Sequence, residues 1–354
     1  MLATKIAVIA ITKHGIAIAR RIKQKMPEAE LYVPVKHSDG SADISWFSEQ
    51  STQLIANLFK THDALLCIFS LGAVIRMVAP HLIDKKSDPA VIVIDDRANY
   101  VISALSGHIG GANALARLVA SFLDAKPVIT TAADVNETIA VDLVGREFSW
   151  AIENFENVTK VSAYMVNEEQ IALYQDTGEK NWWHSHFPSN VTIIEQVEEL
   201  KSPRFKAGLI ISDRLVSDPS IVNKSVIYRP RSLVVGVGLH WDTSKERIDF
   251  GVKKVLEENG LSFKSIRNIA SAKDKAQVKG LQEFCAYYGI SMETYSKDIL
   301  ASIEVPNPSP TVQKFEGTPS VSEASSLLSS KGQLIVPKQK FPPDLTVAIS
   351  RISY

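Results

Sequence analysis

A chain of 354 residues with 45% hydrophobic and 22% charged side chains has the balance of a folded protein, long enough for two or three domains rather than one core. Its formal net charge of zero excludes the basic excess that nonspecific nucleic-acid or anionic-membrane binding needs, and no apolar run reaches the roughly 18 residues that span a bilayer. Cys67 and Cys285 are the only cysteines, far apart and each inside an apolar element, which excludes a disulfide framework or a cysteine zinc site and fits a reducing cytoplasm.

Residues 6–11 read as a buried strand, and the lack of a small-residue cleavage site there argues against a secretion signal. A helix over 15–25, a strand over 31–35, a helix over 47–60 and a buried strand over 64–69 follow. Residues 72–79 form a short helix stopped by Pro80. Strands at 91–95 and 100–105 come next, then a glycine-rich turn, Ser106-Gly107-His108-Ile109-Gly110-Gly111-Ala112-Asn113. Beyond it Ala112, Leu115, Ala116, Val119, Phe122 and Leu123 recur at the spacing of one buried helix face, and residues 128–131 close the unit. Strands alternating with helices predict a mostly parallel α/β sheet, with ligands outside the carboxyl ends of its strands. That rule places residues 71–73, 106–113 and 130–134 on one rim. The free N–H groups of a helix start suit an anion or a developing oxyanion there, so the 106–113 turn is the candidate active-site loop.

The N-terminal α/β domain is expected over 1–137. From 138 to 230 the pattern shifts to a strand-rich α+β middle domain: a helix near 139–148, then strand-like runs at 158–166, 171–174, 191–194 and 207–211. Arg229-Pro230-Arg231 reads as a linker. A C-terminal α/β domain over 231–354 opens with a strand at 233–237 ending in Gly236-Val237-Gly238. A helix then places Ile248, Val252, Val255 and Leu256 on one face, with Gly260 as its stop. A strand at 265–270, a helix at 275–288 and a strand at 291–295 follow. Ser320 with Glu323 three residues on forms a capping-box start for a helix to 330, and strands at 334–336 and 345–350 end the chain.

Two modules resemble a known family. Gly72-Ala73-Val74-Ile75-Arg76, Ala79-Pro80, Asp84-Lys85, Asp88-Pro89-Ala90-Val91, the 106–113 turn and Val128-Ile129-Thr130-Thr131-Ala132 are similar to cobalamin biosynthesis protein G. So are Val235-Gly236-Val237-Gly238, Lys275, Gly280-Leu281, Pro308-Ser309-Pro310, residues 317–324, Pro337-Lys338 and Thr346-Val347-Ala348-Ile349. Leu239-His240-Trp241-Asp242 stands where the family usually carries a Cys-Arg pair. The resemblance implies a cobalt-precorrin-5A hydrolase: water opens a δ-lactone on the cobalt macrocycle, and acetaldehyde leaves to give cobalt-precorrin-5B. It implies no resident cofactor, since cobalt arrives inside the corrinoid substrate. It also implies a cytoplasmic enzyme without membrane or nucleic-acid partners, with other corrin-pathway enzymes as candidate partners. A noncatalytic carrier of a cobalt corrinoid is the competing reading, and a generic nucleotide-binding protein the third. Against the last, Trp241 stands where a dinucleotide fingerprint needs its third glycine.

That chemistry places roles on residues. His108, beside a helix start that lowers a histidine pKa, is the candidate base; alternatively it only shapes the turn. The N–H groups of Gly110, Gly111 and Ala112 are candidate oxyanion donors, or an ordinary anion site. Ser106 sits at a strand–helix corner as a nucleophile would, although the Gly-x-Ser-x-Gly pattern fails and a structural serine is the alternative. Asp134 would orient His108, or cap the following helix. Gly72, Gly107, Asn113, Thr130 and Thr131, with Gly236, Gly238 and Ser320 in the last module, are expected to contact substrate. Its carboxylates call for cations, for which Arg76 and Lys85 are the first candidates, then Arg229 and Arg231. His184 or His186 is a weaker candidate as a cobalt ligand, with Trp182 or Trp183 over the macrocycle face; no metal site of the protein's own is expected.

Overall fold

The computed structural model describes residues 5–84, 87–108, 110–136, 138–310, 313–314 and 317–354, so the candidate Lys85 lies outside the described residues. The chain divides into two compact units, Met1–Leu143 and Val144–Tyr354. In the first, seven strands follow the order β3-β2-β1-β4-β5-β6-β7: β1 is Ile6–Ala10, β2 Glu30–Pro34, β3 Ile44–Phe47, β4 Ala64–Ile68, β5 Ala90–Ile94, β6 Tyr100–Leu105 and β7 Lys126–Val128. The helices α1 (Lys13–Lys25) and α4 (Ala112–Leu123) bury Ile18, Ile22, Leu115 and Val119 against one face. On the other lie α2 (Ser51–Thr61) and α3 (Leu71–Val78), through Leu54, Leu58, Val74 and Val78. The edge strand β3 was not foreseen, and α2 starts only after it, at Ser51.

Strands β1 to β5 run parallel, but β6 pairs antiparallel with β5 and β7 runs with β6. Only residues 95–99 join β5 to β6, and a parallel crossover needs about a dozen residues or more. Asp95 ties that hairpin, its carboxylate accepting from Arg97 N at 2.9 Å and Tyr100 N at 2.6 Å, while Ala98 turns through φ 55°. The expected single rim is therefore two. The loops after β6 and β7 lie at the amino end of β5, where Ser106 Oγ donates to the Asp88 carbonyl at 2.9 Å. Gly72 and Arg76 follow the carboxyl end of β4, on the opposite edge and about 17 Å away at the rise of a five-residue strand. They do not share the 106–113 site.

The second unit holds two sheets. One has the order β10-β9-β11-β12-β8, with β8 Ala151–Ile152, β9 Ile171–Gln175, β10 Val191–Ile194, β11 Ala207–Ile211 and β12 Ser225–Arg229; only the edge strand β8 is antiparallel. After the short α5 (Ala132–Val135) of the first unit comes α6 (Val158–Val166), where a strand was expected. Its β-branched residues favour strand, but Val158, Val161 and Met165 share one buried helical face, and packing decides. Residues 139–148 do not form one helix: 141–145 are turns, Gly145 adopts φ +68°, and only a single 3₁₀ turn, Arg146–Phe148, follows.

The other sheet follows β15-β14-β13-β17-β16, with β13 Leu233–Leu239, β14 Ile266–Ala272 and β15 Ser291–Tyr295 parallel, and β16 (Gln333–Phe341) and β17 (Leu345–Arg351) an antiparallel hairpin. The helices α7 (Pro219–Val222), α8 (Lys245–Glu258), α9 (Lys279–Tyr288), α10 (Lys297–Ala301) and α11 (Val321–Ser330) complete the unit. All four residues read as the buried face of α8 are buried. Among the described residues no helix is long and apolar enough to cross a membrane.

Candidate active site

The corner after β6 is built from a strand that ends in a backbone knot. Ser106 takes φ 55°, a left-handed conformation costly for a non-glycine residue, and its hydroxyl bond to Asp88 holds it there. The chain then folds back on itself: Gly111 N donates to His108 O, Ala112 N to Ser106 O and Asn113 N to Gly107 O, at 2.9–3.1 Å. Gly111 adopts φ 84° at the helix N-cap, and a Cβ on Gly110 would lie 2.3 Å from that of Ser106. A Cβ on Gly107 would lie 2.7 Å from Asn113 Oδ1. Two of the three expected oxyanion donors, the Gly111 and Ala112 N–H groups, are thus used inside the loop. The glycines serve close packing.

The side chains of this corner converge on His108. Its Nε2 meets Asp134 Oδ2 at 2.8 Å and its Nδ1 meets Asp142 Oδ1 at 3.3 Å, all three side chains being between 13% and 18% exposed. Asn113, buried, donates from Nδ2 to the same Asp134 oxygen at 2.8 Å and to Thr131 Oγ1 at 3.0 Å, and accepts from Ser103 Oγ at 2.7 Å. Arg117 Nη2 donates to the other Asp134 oxygen at 2.7 Å. Asp134 lies within α5 and faces the loop rather than capping the helix. Thr130 is exposed beside it.

The electrostatics reverse one expectation. The hydrogen bond that His108 donates to Asp142, opposed by burial and reinforced by the charges of both aspartates, raises the His108 pKa above its ordinary 6.5. The two carboxylates thus shift this imidazole toward its charged form, opposite to the lowering expected beside a helix start. Asp134 is closer, yet it is shared among His108, Asn113 and Arg117, which leaves Asp142 the stronger influence. Burial opposes ionisation of Asp134, but Arg117 and His108 outweigh it and the pKa falls below the usual value. With both ring nitrogens facing carboxylates, His108 is arranged to give a proton before it can take one. The Ser106 proton points to a backbone carbonyl, so this hydroxyl is not activated as a nucleophile by His108.

Other candidates fall elsewhere. Arg229 is 1% exposed inside β12, paired with Glu153 and donating to Ser212 O at 2.8 Å and Arg214 O at 2.6 Å. Arg231 donates to the carbonyls of Lys264 and Ile266. Both stitch the second unit together, and burial takes the Arg229 guanidinium away from any ligand. Trp182 is a buried side chain bonded to Gln175, and Trp183 stacks on Phe187. His184, exposed, lies 3.8 Å from Glu147. Gly236 is packed under α11, where a Cβ would lie 1.9 Å from Ser322 O. Gly238 and Ser320 instead line a pocket at the carboxyl end of β13. Sequence reading missed Asp142 and Arg117. The signal for Arg117 was its place four residues after Asn113 on α4, one turn along the same face; for Asp142, in irregular chain, there was none.

An imidazole held between two carboxylates at the corner of an α/β sheet has the groups that acid–base chemistry needs, here carried by a multi-sheet α/β protein. Family models agree with the residues in all three parts of the chain: Cobalamin synthesis G N-terminal at residues 53–134, Cobalamin biosynthesis central region at 139–230 and Cobalamin synthesis G C-terminus at 233–350. The chain belongs to the cobalamin synthesis G family. It is 41% identical to a cobalt-precorrin-5A hydrolase of Priestia megaterium, covering 98% of this chain and 95% of that one. It is 30% identical to a cobalt-precorrin-5A hydrolase of Salmonella typhimurium, covering 93% of each. A crystal structure of a putative cobalamin biosynthesis protein G homolog from Sulfolobus solfataricus matches at 23% identity and a TM-score of 0.39, over 99% of this chain and 98% of that one.

Proposed function

We propose that this chain hydrolyses the δ-lactone of cobalt-precorrin-5A and releases acetaldehyde, in the cytoplasm and without a cofactor of its own, the cobalt entering with the substrate. The observation that carries the reading is the near-full-length likeness to relatives named for that reaction. The His108 cluster supplies groups of the right kind. The Asp142 carboxylate takes a proton from the attacking water as its oxygen bonds to the lactone carbonyl carbon. The His108 Nδ1 proton, on the longer 3.3 Å contact, passes to the ring oxygen as the C–O bond breaks. Asp134 keeps the imidazole oriented and stabilises its charge, as a carboxylate behind a catalytic histidine does.

The alcohol so formed gives its proton to the now neutral imidazole as the adjacent C–C bond breaks. The bonding pair stays with the macrocycle and acetaldehyde departs. One water enters and one acetaldehyde leaves. Anaerobic incubation with the lactone intermediate, with acetaldehyde followed by reduction with NADH and alcohol dehydrogenase, tests this. Stoichiometric acetaldehyde is expected; substrate bound but recovered unchanged would favour a carrier instead.

A further inference from the structure

In the C-terminal sheet, a pocket of about 620 Å³ opens at the carboxyl end of β13, within the roughly 300–1,000 Å³ of ligand sites and at the edge where open α/β sheets bind ligands. Its walls are apolar, from Leu239, Val321, Phe341 and Leu345. Its cations are three lysines, Lys275, Lys338 and Lys340. The one carboxylate in the lining, Asp344, is paired with Arg247 at 3.2 Å.

We propose that this pocket holds carboxylate arms of the tetrapyrrole substrate, with Lys338 and Lys340 as the ammonium groups that bind them. The inference rests on the substrate reading above, and it assigns binding to residues apart from the His108 chemistry.

The local structure explains why these two lysines face the same space. Both sit on β16, whose pairing with β17 shifts register between Val336 and Gln339, and both line the pocket. Lys338 gives one of its three N–H donors to Asn307 O at 2.6 Å. The buried Glu323 carboxylate does not compete for the others by geometry, since it is filled by the Lys338 backbone N at 2.9 Å and by Asn307 N and Nδ2 at 3.2 and 2.9 Å. It thereby anchors both β16 and the Asn307 loop. Burial and the neighbouring Lys340 charge push the Lys338 pKa down against the pull of Glu323, a strain that a bound anion relieves. The start of α11, with Ser320 at its N-cap and in the lining, adds the positive end of a helix. Lys275 adds a third charge, its ammonium 4.9 Å from the Trp241 ring, and Trp241 is 57% exposed. Apolar walls with a few convergent cations suit a large hydrophobic ring edged with acids.

Trp241 makes the test direct. The full chain is titrated with cobyrinic acid, a carboxylate-bearing corrinoid, and with its neutral methyl ester, following tryptophan quenching. The acid should bind and the ester should not, with Trp241→Phe removing part of the quenching but not the affinity. Lys338→Gln should weaken binding about tenfold and exposed Lys340→Gln about threefold, with the double variant about thirtyfold weaker. In turnover these variants should raise KM and leave kcat close to unchanged. Equal binding of acid and ester, or lysine variants with unaltered affinity, would overturn the proposal. If acetaldehyde forms while the lysine variants bind normally, the pocket assignment fails and the hydrolase reading stands. Lysine-dependent binding without acetaldehyde release would do the reverse. Retained thermal melting of each variant separates lost binding from lost fold.

Discussion

Replacing His108 by Ala removes a side chain that faces both Asp134 and Asp142, at 2.8 and 3.3 Å. Asp134 keeps Arg117 at 2.7 Å and Asn113 at 2.8 Å, so its charge stays compensated; Asp142 loses its imidazole neighbour. Loss of a charged hydrogen-bond partner in a half-buried site costs about 1–3 kcal/mol, which a fold of about 5–15 kcal/mol survives. The same change deletes the proton donor of the ring-opening step. General acid catalysis contributes about 10²–10⁴-fold, or about 2.7–5.4 kcal/mol of barrier. Single-turnover acetaldehyde release from pre-bound substrate isolates that step. His108→Ala should bind substrate normally, melt a few degrees lower and release acetaldehyde about 10²–10⁴-fold more slowly. Turnover within threefold of the unmodified protein across the pH range would refute the role.

The raised His108 pKa links charge to both stability and rate. Because the folded value lies above the unfolded one, near 6.5, the stabilisation is complete below that pH and is lost as pH climbs through the folded value. Melting temperature should therefore decline across the window between the two values, and His108→Gln should flatten this decline. As the acid must be protonated, kcat/KM should fall over the same window; Asp142→Asn, which also removes the base, should lower the rate about 10²–10⁴-fold and move what remains of that fall to lower pH. An alkaline limb indifferent to Asp142 would contradict the assignment. Ser106→Ala should lose only the bond to Asp88 O, about 1 kcal/mol, and keep activity within about threefold; loss of turnover in a well-folded variant would instead reveal a nucleophile. Gly111→Ala places a Cβ at φ 84° and should cost about 1–2 kcal/mol by chemical denaturation, whereas a neutral change would mean the loop relaxes freely.

Much of the fold could be read along the chain. The α8 pattern and the N-cap at Ser320, whose hydroxyl accepts from Glu323 N, follow from local periodicity and capping chemistry. Half of the capping box is absent, because Glu323 turns to Asn307 and β16 instead. The valine-rich stretch that becomes α6 was misread for a related reason: intrinsic propensity is weaker than the face a neighbouring sheet offers. The reversal of β6 was within reach of the sequence, since residues 95–99 are too few to cross over a parallel sheet.

Local spacing by itself determined that a strand, a glycine turn and an amphipathic helix meet at 106–113, through short-range sterics; it offered Asp134 as a partner of His108 only beside the alternative of a helix cap. Only the tertiary structure decided which way the pKa of that histidine moves. Asp142 reaches Nδ1 from a segment with no regular pattern, and its hydrogen bond and charge, with those of Asp134, outweigh burial. Electrostatics depends on distances across space, which chain order does not encode. The same holds for Arg229, a candidate ligand by charge that burial among Glu153 and two carbonyls turned into a structural pin.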